Sequence, residues 1–176
     1  NTSTNASFAF LSSYMNADWT ALDNIYSSEG FSTANAFAGD TTYGFNTNIT
    51  QSKGVFYSGM SNWISNNAFT IVDGSGIDTV DFSGFMSDQL IDLRETDLNS
   101  NNLYSSNIGG KIGNLTIASG TIIENATGGG GNDIIRGNNA ANTLRGEDDA
   151  DKLYGNNGND KLYGGNGNDT LDGGNG

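Results

Sequence analysis

The chain of 176 residues has the length of one ordinary domain, and it contains 26 Gly but no Pro, Cys or His. Twenty Asp and Glu residues against seven Lys and Arg residues give a net charge of −13. The absence of His and Cys excludes a Ser-His-Asp triad, a Cys nucleophile and a structural zinc site, and the negative charge disfavours nucleic acid as a partner. Such a set of carboxylates favours a hard cation.

Neither a membrane span nor a secretory signal is predicted. No apolar run reaches the ~18 residues that a membrane-spanning helix needs, and residues 1–7 lack the basic start and apolar middle of a signal peptide. The sequence also stops at Gly176, in the middle of a repeat unit. We therefore expect it to be a part of a longer protein.

Residues 1–38 form an N-terminal segment in which one helix is predicted over residues 16–30. Asn16 can cap this helix, and Gly30 can end it. Trp19, Leu22 and Tyr26 share one helical face, which we expect to pack against the rest of the domain.

Residues 39–127 are predicted to form a β-rich capping region, because short apolar runs alternate there with Gly, Asn and Ser. The runs span residues 69–72, 79–82, 90–93, 115–118 and 121–123. We expect a β-sandwich-like layer that covers one open end of the repeats that follow.

Residues 128–176 repeat with a period of nine. The consecutive units are GGGGNDIIR, GNNAANTLR, GEDDADKLY, GNNGNDKLY and GGNGNDTLD. Glycine occupies position one, Asp or Asn position six, and Ile or Leu position eight, without an insertion. A flexible Gly/Asn linker is the alternative, but a linker does not keep three columns in phase. The pattern predicts an all-β fold containing a right-handed parallel β-roll, whose turns stack on those two units away.

The repeat turns are typical of calcium sites. Glycine permits sharp turns that aim carbonyl oxygens into one hollow, and the position-six Asp adds a carboxylate, so that Ca²⁺ can gather its 6–8 oxygen ligands. Asn142 offers a neutral oxygen and predicts a weaker site, and Asp148 is expected to contribute its backbone carbonyl. Since one apolar residue per unit is too little to hold the coil, several Ca²⁺ ions are expected to drive folding. The candidate ligands in these units are Asn142, Gly146, Asp148, Asp151, Gly155, Asn157, Asp160, Gly164, Gly165, Asn166, Gly167 and Asp169.

Three blocks before and into the repeats, AGDTTYGFNTN (38–48), DGSGIDTVDFSGF (73–85) and TIIENATGGGGND (121–133), resemble the C-terminal domain of the serralysins. Serralysins are secreted bacterial zinc metalloproteases. The resemblance covers residues 17–176, and ALDNIY (21–26) is similar to the helix that joins this domain to the protease. The family's catalytic motif HExxHxxGxxH requires His, so this chain is not expected to be an enzyme itself.

The resemblance also implies calcium ligands before the repeats and in the first repeat turn. Glu124 matches a ligand of the family, although Ile122 replaces the Thr that accompanies it there. The residues at 73–78 read independently as an acidic glycine turn, with an ordinary solvated loop as the alternative. The implied ligands are Gly39, Thr41, Asp73, Ser75, Gly76, Asp78, Glu124, Gly129, Gly131 and Asp133.

Together these features predict a calcium-binding domain of an extracellular, serralysin-like bacterial protein. It is expected to fold on Ca²⁺ outside the cell and to support type I secretion through a C-terminal signal beyond Gly176. An upstream catalytic domain is a further expected partner. The alternative is a calcium-dependent adhesin, surface-layer or polysaccharide-binding module that uses Trp19 and Trp63 to stack on sugars.

Overall fold

The computed structural model describes residues 37–50, 55–97, 100 and 102–176. The predicted helix at 16–30 lies outside these residues. In the described part, two one-turn helices, α1 (Val55–Ser58) and α2 (Met60–Trp63), accompany the strands. The strands are β1 (Thr42–Gly44), β2 (Phe69–Ile71), β3 (Thr79–Asp81), β4 (Leu90–Asp92), β5 (Leu115–Ile117), β6 (Asn125–Thr127), β7 (Ile134–Arg136), β8 (Thr143–Asp148), β9 (Lys152–Tyr154), β10 (Lys161–Asn166) and β11 (Thr170–Asp172).

The paired strands form three parallel sheets. The largest has the order β1-β3-β6-β8-β10, the second β11-β9-β7-β4, and the third β2-β5. From β6 to β11, consecutive strands alternate between the two larger sheets. Leu144 pairs with Leu162 and Ile135 with Leu153, each two repeat units further on. This register confirms that turns two units apart stack on one another.

The position-eight residues build the core between these sheets. Ile135, Leu144 and Leu153 are completely buried, whereas Leu171 on the last strand is 49 % exposed. A three-residue strand turns its middle side chain inward and its neighbours outward. On the outside, Arg145 lies over the ring of Tyr163, with 4.4 Å between guanidinium carbon and ring centre. These three units therefore each contribute one buried apolar side chain to a thin core.

The region 39–127 does not form the separate sandwich-like layer that the sequence predicted. Strands β1 and β3 belong to the same sheet as β6, β8 and β10, and β4 belongs to the sheet of β7. The reason is visible at 73–81, DGSGIDTVD, where Asp78 and Val80 occupy positions six and eight of a repeat unit. This region thus supplies further strands of the same two sheets, separated by longer connections.

The predicted strands of this region are largely confirmed. The runs at 69–72, 79–82, 90–93 and 115–118 contain β2, β3, β4 and β5. The run at 121–123 is not a strand, because these residues form the turn that leads into β6. The sequence did not predict β1, β6, α1 or α2.

Candidate metal centre

The position-six residues form a hydrogen-bonded column along each edge of the coil. On one edge, here called the Asp151 edge, the turns end at Gln89, Asp133, Asp151 and Asp169. The Gln89 N–H donates to Asp133 Oδ1 (2.7 Å), the Asp133 N–H to Asp151 Oδ1 (2.8 Å), and the Asp151 N–H to Asp169 Oδ1 (3.0 Å). Each carboxylate therefore fixes the turn before it through one oxygen and keeps its second oxygen for another partner.

The opposite edge, here called the Asp160 edge, repeats this arrangement. Its turns end at Thr41, Asp78, Glu124, Asn142 and Asp160. The Thr41 N–H donates to Asp78 Oδ1 (2.8 Å), and the Asp78 N–H to Glu124 Oε2 (2.7 Å). At the far end, the Asn142 N–H donates to Asp160 Oδ1 (2.8 Å). The column thus runs through both the irregular and the regular turns.

Several of the second oxygens have no partner. Within the part of the chain that the structure describes, Gln89 Oε1, Asp151 Oδ2 and Asp160 Oδ2 are buried oxygens without a hydrogen bond. An unpaired buried acceptor is costly, and a buried unpaired carboxylate oxygen is more so. A cation bound beside Asp151 and Asp160 would remove this cost.

Glycine at position one leaves room beside these oxygens. A Cβ atom at Gly146 would overlap both Asp151 Oδ2 and the carbonyl oxygen of Gly164. A Cβ atom at Gly155 would likewise overlap Asp160 Oδ2 and the carbonyl oxygen of Gly173. A carboxylate oxygen and a main-chain carbonyl from a stacked turn thus lie close together at each glycine, and mixed oxygen sets of this kind suit Ca²⁺.

Burial also raises the pKa of the carboxylates. Desolvation is the largest cause, and it raises the pKa of Asp151 to about 6 and that of Asp78 to about 7. Neighbouring carboxylates, among them Asp133 and Asp169 for Asp151, raise it further. The ionised forms are therefore disfavoured unless a positive charge is nearby.

Both carboxylate oxygens of Asp133 accept hydrogen bonds, in contrast to those of Asp151 and Asp160. Its Oδ2 accepts a hydrogen bond from the Gly129 N–H (2.8 Å), and its Oδ1 accepts the bond from Gln89. The side chain is 1 % exposed, and burial raises its pKa. Gly131 in the same turn has a φ of 145°, in the region that glycine adopts at no steric cost.

The predicted ligands at 39–41, 73–78 and 124 come together. The Gly39 N–H donates to the Ser75 carbonyl (2.6 Å), which holds the GDT segment against the acidic turn. Asp73 accepts hydrogen bonds from the Tyr43 hydroxyl (2.6 Å) and the Ser75 N–H (3.1 Å), and it is 2 % exposed. The sequence motif therefore does form a buried acidic turn rather than a solvated loop.

The remaining predicted residues lie at the turn surface. Asp148 and Asn166 are exposed and bonded to each other, from Asn166 Nδ2 to Asp148 Oδ1 (2.9 Å). Asn157 Nδ2 donates in the same way to Asn139 Oδ1 (2.9 Å). Their side chains thus have partners on the outside of the coil, so any metal ligand from these residues is expected to be a main-chain carbonyl.

Comparison with known proteins identifies the family. Residues 32–173 match the family model described as peptidase M10 serralysin C terminal. The chain belongs to this family. It is 44 % identical over 134 residues to the metallopeptidase AprA of Pseudomonas marginalis, covering 76 % of this chain and 25 % of that protein. It is 47 % identical over 106 residues to a serralysin of Photorhabdus laumondii, covering 60 % of this chain and 20 % of that protein.

The chain therefore spans a quarter or less of the length of these relatives. The match is to the C-terminal part of the peptidase family rather than to its catalytic part, which agrees with the absence of His. No helix in the described residues of this serralysin C-terminal domain is long and apolar enough to cross a membrane.

Acidic side chains alone do not complete a metal site. Among the described residues, no group of three or more acidic side chains is placed so that together they could hold an ion. The glycine-rich turns also offer main-chain carbonyl oxygens, which lie beside the carboxylate oxygens of Asp151 and Asp160.

Sequence reasoning missed three residues in or beside the columns. Gln89 occupies position six of a turn on the Asp151 edge, and Tyr43 donates to Asp73. Asp88 Oδ1 accepts a hydrogen bond from the Asn132 N–H (2.9 Å). The spacing of residues 84–92, with Gly84 at position one and Ile91 at position eight, is the signal that could have revealed Gln89.

Proposed function

We propose that this serralysin C-terminal domain is a parallel β-roll that folds when it binds several Ca²⁺ ions. The observation that supports it best is the pair of buried, unpaired oxygens Asp151 Oδ2 and Asp160 Oδ2, each beside a main-chain carbonyl of a stacked turn. Two parallel sheets whose strands alternate along the chain are the architecture that such a roll requires.

The proposed ligands are oxygens of paired turns on the same edge. On the Asp151 edge they come from Asp133, Asp151 and Asp169 together with carbonyls of their glycine turns. On the Asp160 edge they come from Asp160 and the first acidic turn, with Asp73 and Asp78. Bound Ca²⁺ supplies the positive charge that lets these carboxylates remain ionised while buried, and it links one turn to the next.

Without the cation, the carboxylates oppose folding. Asp151 lies between Asp133 and Asp169 in one column, so that like charges repel across buried turns. The glycine-rich loops lose much backbone entropy on ordering, and each unit buries one apolar side chain in return. Binding to the folded state alone adds RT ln(1 + [L]/Kd) per site, about 2.7 kcal/mol at one hundred times Kd.

This dependence fits a protein that is exported unfolded. We propose that the chain stays unfolded in a calcium-poor cytoplasm, passes through a type I exporter and folds outside the cell. The relatives are metallopeptidases and serralysins by name, and we propose that the parent protein is likewise a secreted metalloprotease with an upstream catalytic domain. The domain then contributes stability rather than catalysis.

Circular dichroism of the chain tests the proposal. Chelation is expected to abolish the β-sheet signal, and Ca²⁺ is expected to restore it, whereas Mg²⁺, which demands six ligands in a tighter octahedron, is expected to be much less effective. Unchanged spectra after exhaustive chelation would refute calcium-dependent folding.

The adhesin or polysaccharide-binding alternative rested on two tryptophans. Trp19 lies outside the described residues, and Trp63 ends α2. A glycan-binding screen in the presence of calcium separates this alternative from the proposed function, because only the alternative requires a sugar ligand.

A further inference from the structure

Asn142 differs from the other position-six residues in the direction of its hydrogen bonds. It is 1 % exposed, and its Nδ2 donates to the Glu124 carbonyl (3.0 Å) and to Asn138 Oδ1 (3.1 Å). Its Oδ1 accepts a bond from the Asn138 N–H (2.9 Å). Since a backbone carbonyl can only accept and a backbone N–H can only donate, these partners fix the orientation of the amide.

The carboxylates at the equivalent position do the opposite. Asp133, Asp151 and Asp160 each accept an N–H from the position-six residue of the preceding turn on their edge. Asn142 instead donates one amide N–H to the Glu124 carbonyl of the turn before it and the other to Asn138 Oδ1 in its own turn. Its Oδ1 accepts the Asn138 N–H within its own turn, as Asp133 Oδ2 accepts the Gly129 N–H, so the donating Nδ2 is what sets Asn142 apart.

Other amides occupy the main-chain carbonyls around this junction. Asn138 Nδ2 donates to the Ile123 carbonyl (2.8 Å) and the Leu93 carbonyl (3.2 Å). Asn156 Nδ2 donates to the carbonyl of Gly137 (2.7 Å), the position-one glycine of this turn. At Gly137 a Cβ atom would meet Asn142 Oδ1 and the Gly155 carbonyl, so the amide oxygen lies toward the following turn at 155–160, while amide N–H groups meet the carbonyls of the turn at 119–124. The donor set here therefore does not fit a cation.

We propose that the junction between the turns at 119–124 and 137–142 is a cation-free contact, in which the amides of Asn138 and Asn142 take the place that Ca²⁺ holds elsewhere. The inference rests on the proposed function, and it revises the expectation that Asn142 is a weak calcium ligand. Amide donors satisfy the carbonyls of Ile123 and Glu124 without adding charge. In the folded chain this junction consequently needs no ion of its own to hold the two turns together.

The substitution Asn142→Asp tests the proposal. It replaces the donating amide with an oxygen and so recreates the acidic position six of the other turns. Equilibrium dialysis with elemental analysis is expected to show about one additional Ca²⁺ per chain in this variant compared with wild type. Asn102→Asp is the matched control, since it adds the same charge at an exposed position outside the repeat turns and is expected to leave the ion count unchanged.

Asn142→Ala keeps the test decisive if the Asp variant does not fold. It removes the donor without adding an oxygen, so the number of bound ions is expected to equal that of wild type, while the chain becomes less stable. Loss of an ion in this variant would show that Asn142 is a ligand and would overturn the inference. An Asp variant that folds and binds no additional ion would overturn it too. Wild type that binds no calcium contradicts the proposed function itself.

Discussion

The substitution Asp151→Asn should have opposite effects on stability with and without calcium. In the calcium-free fold, Asp151 Oδ1 accepts the Asp133 N–H, while Oδ2 is buried without a partner. An asparagine can keep the first bond through its Oδ1 and place an amide N–H near the Gly164 carbonyl, next to which Oδ2 lies. The chain already contains an amide at position six in Asn142.

The size of the effect follows from the pKa of Asp151. Burial raises this pKa from 3.8 to about 6, which corresponds to about 3 kcal/mol of destabilisation at a pH well above both values. The variant is therefore expected to be more stable than wild type in chelator, by about 1 to 3 kcal/mol after relaxation of the site. In saturating calcium it is expected to be less stable, because it has lost a charged ligand.

Urea unfolding followed by circular dichroism measures both values. A stabilising osmolyte such as sucrose, added equally to all samples, brings the chelated proteins into the measurable range. Asp148→Asn is the matched control, since Asp148 lies in the same repeat unit with its side chain exposed. It is expected to change stability by less than about 0.5 kcal/mol in either condition. A variant Asp151→Asn that is destabilised equally with and without calcium would refute the reasoning.

Three further predictions concern pH, the core and the turns. In chelator, the folded fraction should increase as the pH falls from about 7 to about 4. The reason is that the pKa values of Asp78 (about 7) and Asp151 (about 6) in the folded state lie above the unfolded value of 3.8, so the folded state binds more protons. A pH series of circular dichroism spectra that shows the folded fraction decreasing would contradict this. Leu153→Ala should lower the free energy of unfolding in calcium by about 2 to 5 kcal/mol, since Leu153 is fully buried. Leu171→Ala should lower it clearly less, since Leu171 is 49 % exposed. Equal losses of the two variants in urea titrations would count against the core assignment. Gly167→Ala should raise the calcium concentration needed for folding, because Gly167 has a φ of 139° and a Cβ atom there would overlap the Asp149 carbonyl. Gly173→Ala should leave this concentration nearly unchanged, because the space around Gly173 is open. Indistinguishable midpoints of the two variants in a calcium titration would contradict the proposed turn geometry.

The repeat turns could be predicted from the sequence because each column has one physical role. Glycine at position one, the acid at position six and the apolar residue at position eight recur every nine residues from Gly128 onwards. The stacking of Asp133 on Asp151 and of Asn142 on Asp160 followed from this period, and the hydrogen bonds agree with it.

The earlier turns could not be predicted in the same way, because the period is broken there. Thr42 pairs with Thr79, and Thr79 pairs with Asn125, so that long connections separate stacked strands. A search for a constant spacing therefore assigns this region to a different layer. Gln89 was missed for the same reason, since its turn is followed by a long connection before Asp133.

The direction in which the Asn142 amide forms its hydrogen bonds could not be predicted from its residue type. An asparagine can turn either its oxygen or its nitrogen toward a stacked turn. The neighbours decide between the two, and here they are the Asn138 N–H and the Glu124 carbonyl. The positions of these two groups relative to Asn142 depend on the fold, so the sequence alone does not show that Asn142 donates to the turn before it.

A crystal structure of the chain grown with Ca²⁺, with the ions located by their anomalous scattering, tests the central claim most directly. The account predicts ions between stacked turns, within about 2.3–2.6 Å of a carboxylate oxygen of Asp151 and of Asp160 and of nearby glycine carbonyls. No ion is expected between the Glu124 and Asn142 turns. Ions bound instead to the exposed acids Glu147 and Asp149, or a folded chain without ions at Asp151 and Asp160, would contradict the account.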